Sequence, residues 1–288
     1  MIKRYVKEIF IMSINHNEIA QTDIIEHFVM GKSTNNEECE DMIVIGEHFY
    51  AVIDGVTSKF STKYEGKTAG RYCAELLTQA ISSLDKDADA KSALDTLNDT
   101  VKKAYGDREI TEENKMQACV IIYSKARREI FNYGDCQLMI NGECFDHTKR
   151  IDALLEDLRA FAITAYLNKG GNESNIQEND IGRAAILPFL KAQSAFANKD
   201  GYFGYPVIDG TGINERLIKT YNIESGDLVV LASDGYPKLF PTLSQSEEYL
   251  RYVLKIDPLS ICENKQTKMK LSENRSFDDR SYFSFIAQ

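Results

Sequence analysis

Apolar runs without polar alternation recur along this chain, and two of them end alike. Phe49–Ile53 and Leu228–Ser233 are each of strand length, a pattern that predicts strands buried on both faces. Each run delivers one carboxylate followed at once by a glycine, as Asp54-Gly55 and Asp234-Gly235. The glycine is expected to let the backbone turn sharply. A carboxylate at the mouth of a buried strand is costly to desolvate unless a cation or a donor meets it. Taken singly, either Asp-Gly reads as a turn. Taken together, the two suggest a metal centre with Asp54 as its hub.

The pattern around these runs predicts the other elements. Residues 1–30 hold two weak strand candidates, the second at Ile24–Met30. Met42–Ile45 and Phe49–Ile53 form a β-hairpin whose register depends on its loop. A three-residue loop at 46–48 sets Glu40 opposite Asp54, whereas a two-residue loop at 47–48 sets Asp41 there. Directly opposed residues lie within about 5.5 Å. Either register therefore brings up a second carboxylate and calls for a cation or a raised pKa. After a loop at 57–65, Ala69, Tyr72, Cys73, Leu76, Leu77, Ala80 and Ile81 mark one apolar helix face. Leu94, Leu97, Val101 and Ala104 mark a second. A meander follows: Ala118–Tyr123, a turn at 125–128, Ile130–Tyr133 into Gly134-Asp135, then Gln137–Ile140 up to the Asn141-Gly142 hairpin signal.

Residues 148–205 differ in character. Ile151, Leu154, Leu155, Leu158 and Phe161 predict a helix, 168–179 reads as a polar loop, and Ala184–Ala197 reads as a helix broken or started by Pro188. This stretch is expected to be a helical insertion in one domain spanning 1–288. Strands are then predicted at Leu217–Ile223, Leu228–Ser233 and Tyr282–Ala287. Between the last two lies a helix with Ser244 and Glu247 at capping-box spacing. An antiparallel pairing of those two strands would bring Asp278 near Asp234.

Composition narrows the field without deciding it. The 288 residues are 43% hydrophobic and 27% charged, with a net charge of −10, so a phosphate-backbone binder wanting a basic face is disfavoured. Surplus carboxylates suit hard divalent cations. The six cysteines contain no CxxC, which predicts buried free thiols in a reducing compartment. Ile9–Met12 is too short for a signal peptide, no stretch approaches a membrane span, and a cytoplasmic protein is expected.

With Glu40-Asp41, Asp54-Gly55, Gly134-Asp135, Ser233-Asp234-Gly235 and Asp278-Asp279 in this order, the chain resembles the metal-dependent serine/threonine protein phosphatases of type 2C over about residues 24–287. The resemblance implies an α+β fold, a four-layer α-β-β-α sandwich of two antiparallel sheets flanked by helices. It implies that Asp54 bridges two Mn²⁺ or Mg²⁺ ions. Asp234 and Asp278 would complete one ion's shell, and the Gly55 carbonyl with Glu40 or Asp41 would serve the other. Asp135 would match the ligand of a third ion. The implied reaction is hydrolysis of phosphoserine or phosphothreonine in a phosphoprotein through a water activated by two metals.

The chain also departs from the family pattern. The phosphate-binding arginine expected a few residues before Glu40-Asp41 is missing: the position falls near Asn36, and Lys32 is the closest cation. Val56-Thr57-Ser58-Lys59 replaces the usual residues after Asp-Gly, so no side chain at Val56 can act as a general acid. Lys238 stands where an acidic residue is common, which weighs against the third ion. These departures keep two alternatives open. One is a non-catalytic module of the same fold that docks phosphoproteins, and the other is an enzyme for small phosphomonoesters.

Overall fold

The structure, a computed structural model, describes residues 23–288. The strand predicted before Ile24 lies outside the described residues. Among these residues, ten strands form two five-stranded antiparallel sheets. Strands β1 (Ile24–Met30), β2 (Asp41–Ile45) and β3 (Phe49–Gly55) come first, and the two-residue strands β4 (Lys63–Tyr64) and β5 (Lys67–Thr68) make a separate small hairpin. Helices α1 (Ala69–Ser82) and α2 (Ala90–Tyr105) follow, then the meander β6 (Ala118–Ser124), β7 (Glu129–Tyr133), β8 (Gln137–Ile140) and β9 (Glu143–Phe145). Helices α3 (Arg150–Asn168), α4 (Glu173–Asn179) and α5 (Ile181–Ala192) precede β10 (Lys219–Asn222) and β11 (Leu228–Ala232). Helix α6 (Leu243–Ile256) and strand β12 (Arg280–Ile286) close the chain. One sheet runs β1-β12-β11-β8-β9 and the other β10-β7-β6-β3-β2.

Side-chain parity explains why the central strands are apolar throughout. In β3, Phe49, Ala51 and Ile53 pack outward with Cys73 and Leu77 of α1 and Leu94 and Leu97 of α2. The alternate residues Tyr50 and Val52 point between the sheets, onto Val229, Leu231, Phe283 and Phe285. Val230, Ala232 and Tyr282 of the first sheet turn outward to meet Leu250 of α6. Two sheets packed face to face with helices on both outer faces are the architecture expected from the sequence.

The same parity carries Asp54 to the inter-sheet side, at the end where β3 and β11 finish and β2, β8 and β12 begin. Five strand ends meet at that mouth. Pairing of Ile45 with Tyr50 and of Asp41 with Asp54 selects the two-residue-loop register. Ser233 next to Ser281, and Ala232 opposite Tyr282, show that β12 starts where β11 stops.

Four local expectations are corrected. The stretch 168–179 is not all loop, because Glu173–Asn179 is helical, capped by Asn172 accepting from the Ser174 amide; only Ile176 is buried, so the pattern gave no apolar face. Pro188 lies inside α5 and neither starts nor ends it; the helix begins at Ile181, capped by Asp180. Helix α6 is capped by Thr242, which accepts from the Gln245 amide, and not by Ser244. Glu247 is instead committed to the Tyr236 hydroxyl and the Arg280 guanidinium. Finally, Gly55 and Gly235 do not have positive φ. Close approach requires them: a Cβ on Gly55 would lie 2.6 Å from the Gly70 carbonyl oxygen, and one on Gly235 would lie 2.0 Å from that of Asp279.

The helical segment is tied to the mouth by one fully buried arginine. Arg159 of α3 donates to both carboxylate oxygens of Asp180 at 3.1 Å and to the carbonyls of Leu259 and Ser260. This ion pair fixes the 257–271 loop, which carries Lys268 to the strand ends.

Candidate metal centre

Three carboxylates from three different strand ends converge. One oxygen each from Asp54, Asp135 and Asp234 lie within 4.8 Å of one another. Asp54 ends β3, Asp135 sits in the β7–β8 turn, and Asp234 follows β11. The Asp234 amide faces Asp54 Oδ2 at 3.5 Å. Gln137 holds the Asp234 turn in place by donating to the carbonyls of Ser233 at 2.9 Å and Tyr236 at 2.8 Å.

Asp41, opposite Asp54 in the register, is 3% exposed, and its Oδ2 has no hydrogen-bond partner. A buried carboxylate oxygen without a donor is costly. Burial, followed by the charges of Asp279, Asp278 and Asp234, drives the Asp41 pKa well up. Burial likewise raises Asp54, with Asp234, Asp41 and Asp135 adding to it. Asp234 is pushed up to about 7 by burial and then by Asp135 and Asp278. Its side chain reaches solvent at the mouth, between the carboxylates that crowd it. Asp135 behaves oppositely. Burial would raise it, but the Lys149 ammonium 2.5 Å away and a hydrogen bond with the Cys119 thiol hold it below the usual carboxylate value.

The remaining predicted residues form a second cluster built around an ammonium. Lys32 Nζ lies 3.1 Å from Asp278, 3.3 Å from Asp279 and 3.7 Å from Glu40, and donates to the Thr57 hydroxyl at 2.9 Å. Lys268 also pairs with Asp278. Burial alone would lower the Lys32 pKa, but Asp278, Asp279 and Glu40 together drive it up, so the ammonium stays charged. The same two lysines outweigh burial at Asp278 and hold it ionised. Glu40 is saturated by the Thr57 and Thr68 hydroxyls at 2.5 and 2.6 Å. Asp279 accepts the amides of Lys32 and Glu40 at 2.7 and 3.0 Å.

The donor sets therefore differ in how they fit a divalent cation. Asp54 and Asp234, both raised, lie with the lowered Asp135 as a cluster of hard oxygens, and Asp54 with Asp41 adds an oxygen that nothing satisfies. Both suit Mg²⁺ or Mn²⁺. Asp278 is already met by two ammoniums, Lys32 and Lys268, whereas Asp135 is met by one, Lys149. Sequence reasoning missed Lys149, Lys268 and Gln137. Lys149 and Lys268 come from the 148–205 segment and from an irregular loop, where no periodicity places them.

No family model matches the chain, and no curated protein matches it. Among solved structures it is similar to the catalytic domain of the serine/threonine protein phosphatase PstP in complex with two manganese ions, with 14% identity over 92% of this chain and 99% of that one, at a TM-score of 0.46. It is also similar to a serine/threonine phosphatase from Staphylococcus aureus (12% identity, 96% and 100% covered, TM-score 0.46) and to RsbX in complex with magnesium (10%, 92% and 98%, 0.43). Among the described residues, no helix is long and apolar enough to cross a membrane.

Proposed function

We propose that this chain is a metal-dependent phosphatase that hydrolyses phosphoserine or phosphothreonine in proteins, using Mn²⁺ or Mg²⁺. The observation that carries the reading is the convergence of Asp54, Asp135 and Asp234 from separate strand ends into one open carboxylate cluster. Asp54, Asp135 and Asp234 would hold one divalent ion, and Asp54 with Asp41 and the Gly55 carbonyl would hold a second. Divalent ions held there supply Lewis acidity toward the phosphoryl oxygens and acidify water for in-line attack. The protein's part is to fix the carboxylates on rigid strand ends, with Gln137 bracing Asp234 and Lys149 orienting Asp135. Asp278 and Glu40 act in this reading through Lys32, which they hold at the edge of the cluster. The leaving group takes its proton from water, since Val56 has none to give.

A second reading is favoured by the lysines on Asp278. Internal ammoniums in place of one cation would suit a weak or inactive pseudophosphatase that binds phosphoproteins or partners. One experiment separates the two. Hydrolysis of 4-nitrophenyl phosphate is followed with Mn²⁺, Mg²⁺ or chelator, in the wild type and in Asp54→Ala. Turnover that needs metal and Asp54 supports the enzyme; its absence, with phosphopeptide binding retained in calorimetry, supports the module.

A further inference from the structure

A basic pocket adjoins the carboxylate mouth and shares Lys149 and Thr57 with the site described so far. Its cavity volume is ≈ 60 Å³, enough for several water-sized groups. Lys59 comes from the loop after β3, Lys115 and Gln117 from the approach to β6, Lys149 from the start of α3, and Lys191 and Gln193 from the end of α5. Two of the four lysines are spent. Lys149 is paired with Asp135, and Lys115 lies 3.1 Å from Glu112.

The other two have no carboxylate partner among the described residues. Lys59 donates to the Thr57 carbonyl at 2.5 Å, and Lys191 lies over the Phe60 ring at 4.8 Å. Gln117 adds a buried amide nitrogen with no acceptor, and Gln193 a buried amide oxygen with no donor. Burial, with Arg183 and Lys268 nearby, lowers the Lys59 pKa to about 7. An ammonium that stays buried without a counter-charge is expensive, and an anion entering the pocket would relieve that cost. Two lysine amines and an amide donor lining one small cavity, with Lys59 charged once an anion enters, match the doubly charged, many-oxygened phosphoryl group better than a carboxylate.

The pocket also lies beside the reaction site. Val56 and Thr57, which line it, directly follow Gly55, and Lys149 serves both the pocket and Asp135. We propose that this pocket is an anion subsite that takes a second phosphoryl group of the substrate, next to the phosphoester at Asp54. The subsite rests on the phosphatase reading for its role, although not for its ability to bind phosphate. A substrate phosphorylated at two neighbouring positions would then be preferred over a singly phosphorylated one.

The test is calorimetric titration of inorganic phosphate into the metal-free full chain, where no bound cation attracts the anion. The wild type, Lys59→Met and Lys191→Met are compared, with acetate as a second titrant. Lys191 is exposed, so its variant is expected to fold even if the Lys59 variant does not. One phosphate bound by the wild type, about tenfold or more weaker in either variant and displaced poorly by acetate, is the expected result. Phosphate binding absent in the wild type, unchanged in both variants, or matched by acetate overturns the subsite. Loss of hydrolysis in a parallel Mn²⁺ assay, with phosphate binding intact, would remove the phosphatase reading alone.

Discussion

Two acidic clusters sit side by side at the inter-sheet mouth and are neutralised in opposite ways. Around Lys32, the carboxylates of Glu40, Asp278 and Asp279 are met by ammoniums, hydroxyls and amides from within the chain. Around Asp54, Asp41 and Asp234, carboxylates face one another, and one buried oxygen meets nothing. The chain has thus provided its own cations for one half of the mouth and left the other half, where Lys149 meets Asp135 alone, short of positive charge. Held in a folded protein, such a deficit points to a ligand that supplies the charge.

Asp54 is the hub of the open half, and its removal should have the largest effect. Asp54→Ala is expected to lower Mn²⁺-dependent hydrolysis by about 100-fold or more, equivalent to about 3 kcal/mol of transition-state stabilisation. A loss below about threefold, measured as kcat/KM on an aryl phosphate, would place the chemistry elsewhere.

Lys32→Met attacks the self-neutralised half. Removing one partner from a buried charge cluster costs about 3–5 kcal/mol, so chemical denaturation of the metal-free variant should show a fall of that order. A divalent ion bound by the newly freed carboxylates would restore part of it. An unchanged midpoint would show that Lys32 is not needed to balance those acids.

The pH response separates the halves further. Asp41, Asp54 and Asp234 have raised pKa values in the fold, and so does Glu156, to about 7 by burial and then by Asp152 and Asp234. A carboxyl held above its unfolded value contributes stability that is present at low pH and lost as pH rises through the folded pKa. The metal-free protein should therefore lose stability from about pH 4, the unfolded carboxyl value, to about 7. Lys59 acts in the opposite sense: its lowered pKa means that stability is gained as pH rises from about 7 toward its unfolded value. Asp278, whose pKa is lowered, is ionised in both states across this window and contributes no slope. Thermal melts with and without Mg²⁺ test this, and the slope below pH 7 should flatten when the ion is added.

Thr242→Ala, at the cap of α6 and outside both clusters, serves as the small control. It should cost about 1 kcal/mol and leave Mn²⁺ affinity unchanged. A change in affinity would mean that stability and the site are coupled through that helix.

Much of this was legible in the sequence because strand parity is strict. The runs at Phe49–Ile53 and Leu228–Ser233 are apolar on both faces because one face meets helices and the other meets the opposite sheet. Their carboxylates then had to emerge at strand ends. The hairpin at 42–53 left two registers open, since loop length alone separates Glu40 from Asp41 opposite Asp54, and only the fold chose Asp41. Which acids would stay free was not legible. That depends on long side chains arriving from irregular segments, such as Lys268 on a loop held by Arg159 and Lys149 at the start of α3. The reason for the two glycines was also hidden, because a contact with Gly70 or Asp279 leaves no local sequence pattern.

In the proposed function, the open half of the mouth would hold divalent cations. Calorimetric titration of Mn²⁺ into the wild type and Asp234→Asn tests it most directly. Saturable binding that weakens sharply in the variant is predicted; no binding, or binding that the substitution leaves untouched, would contradict it.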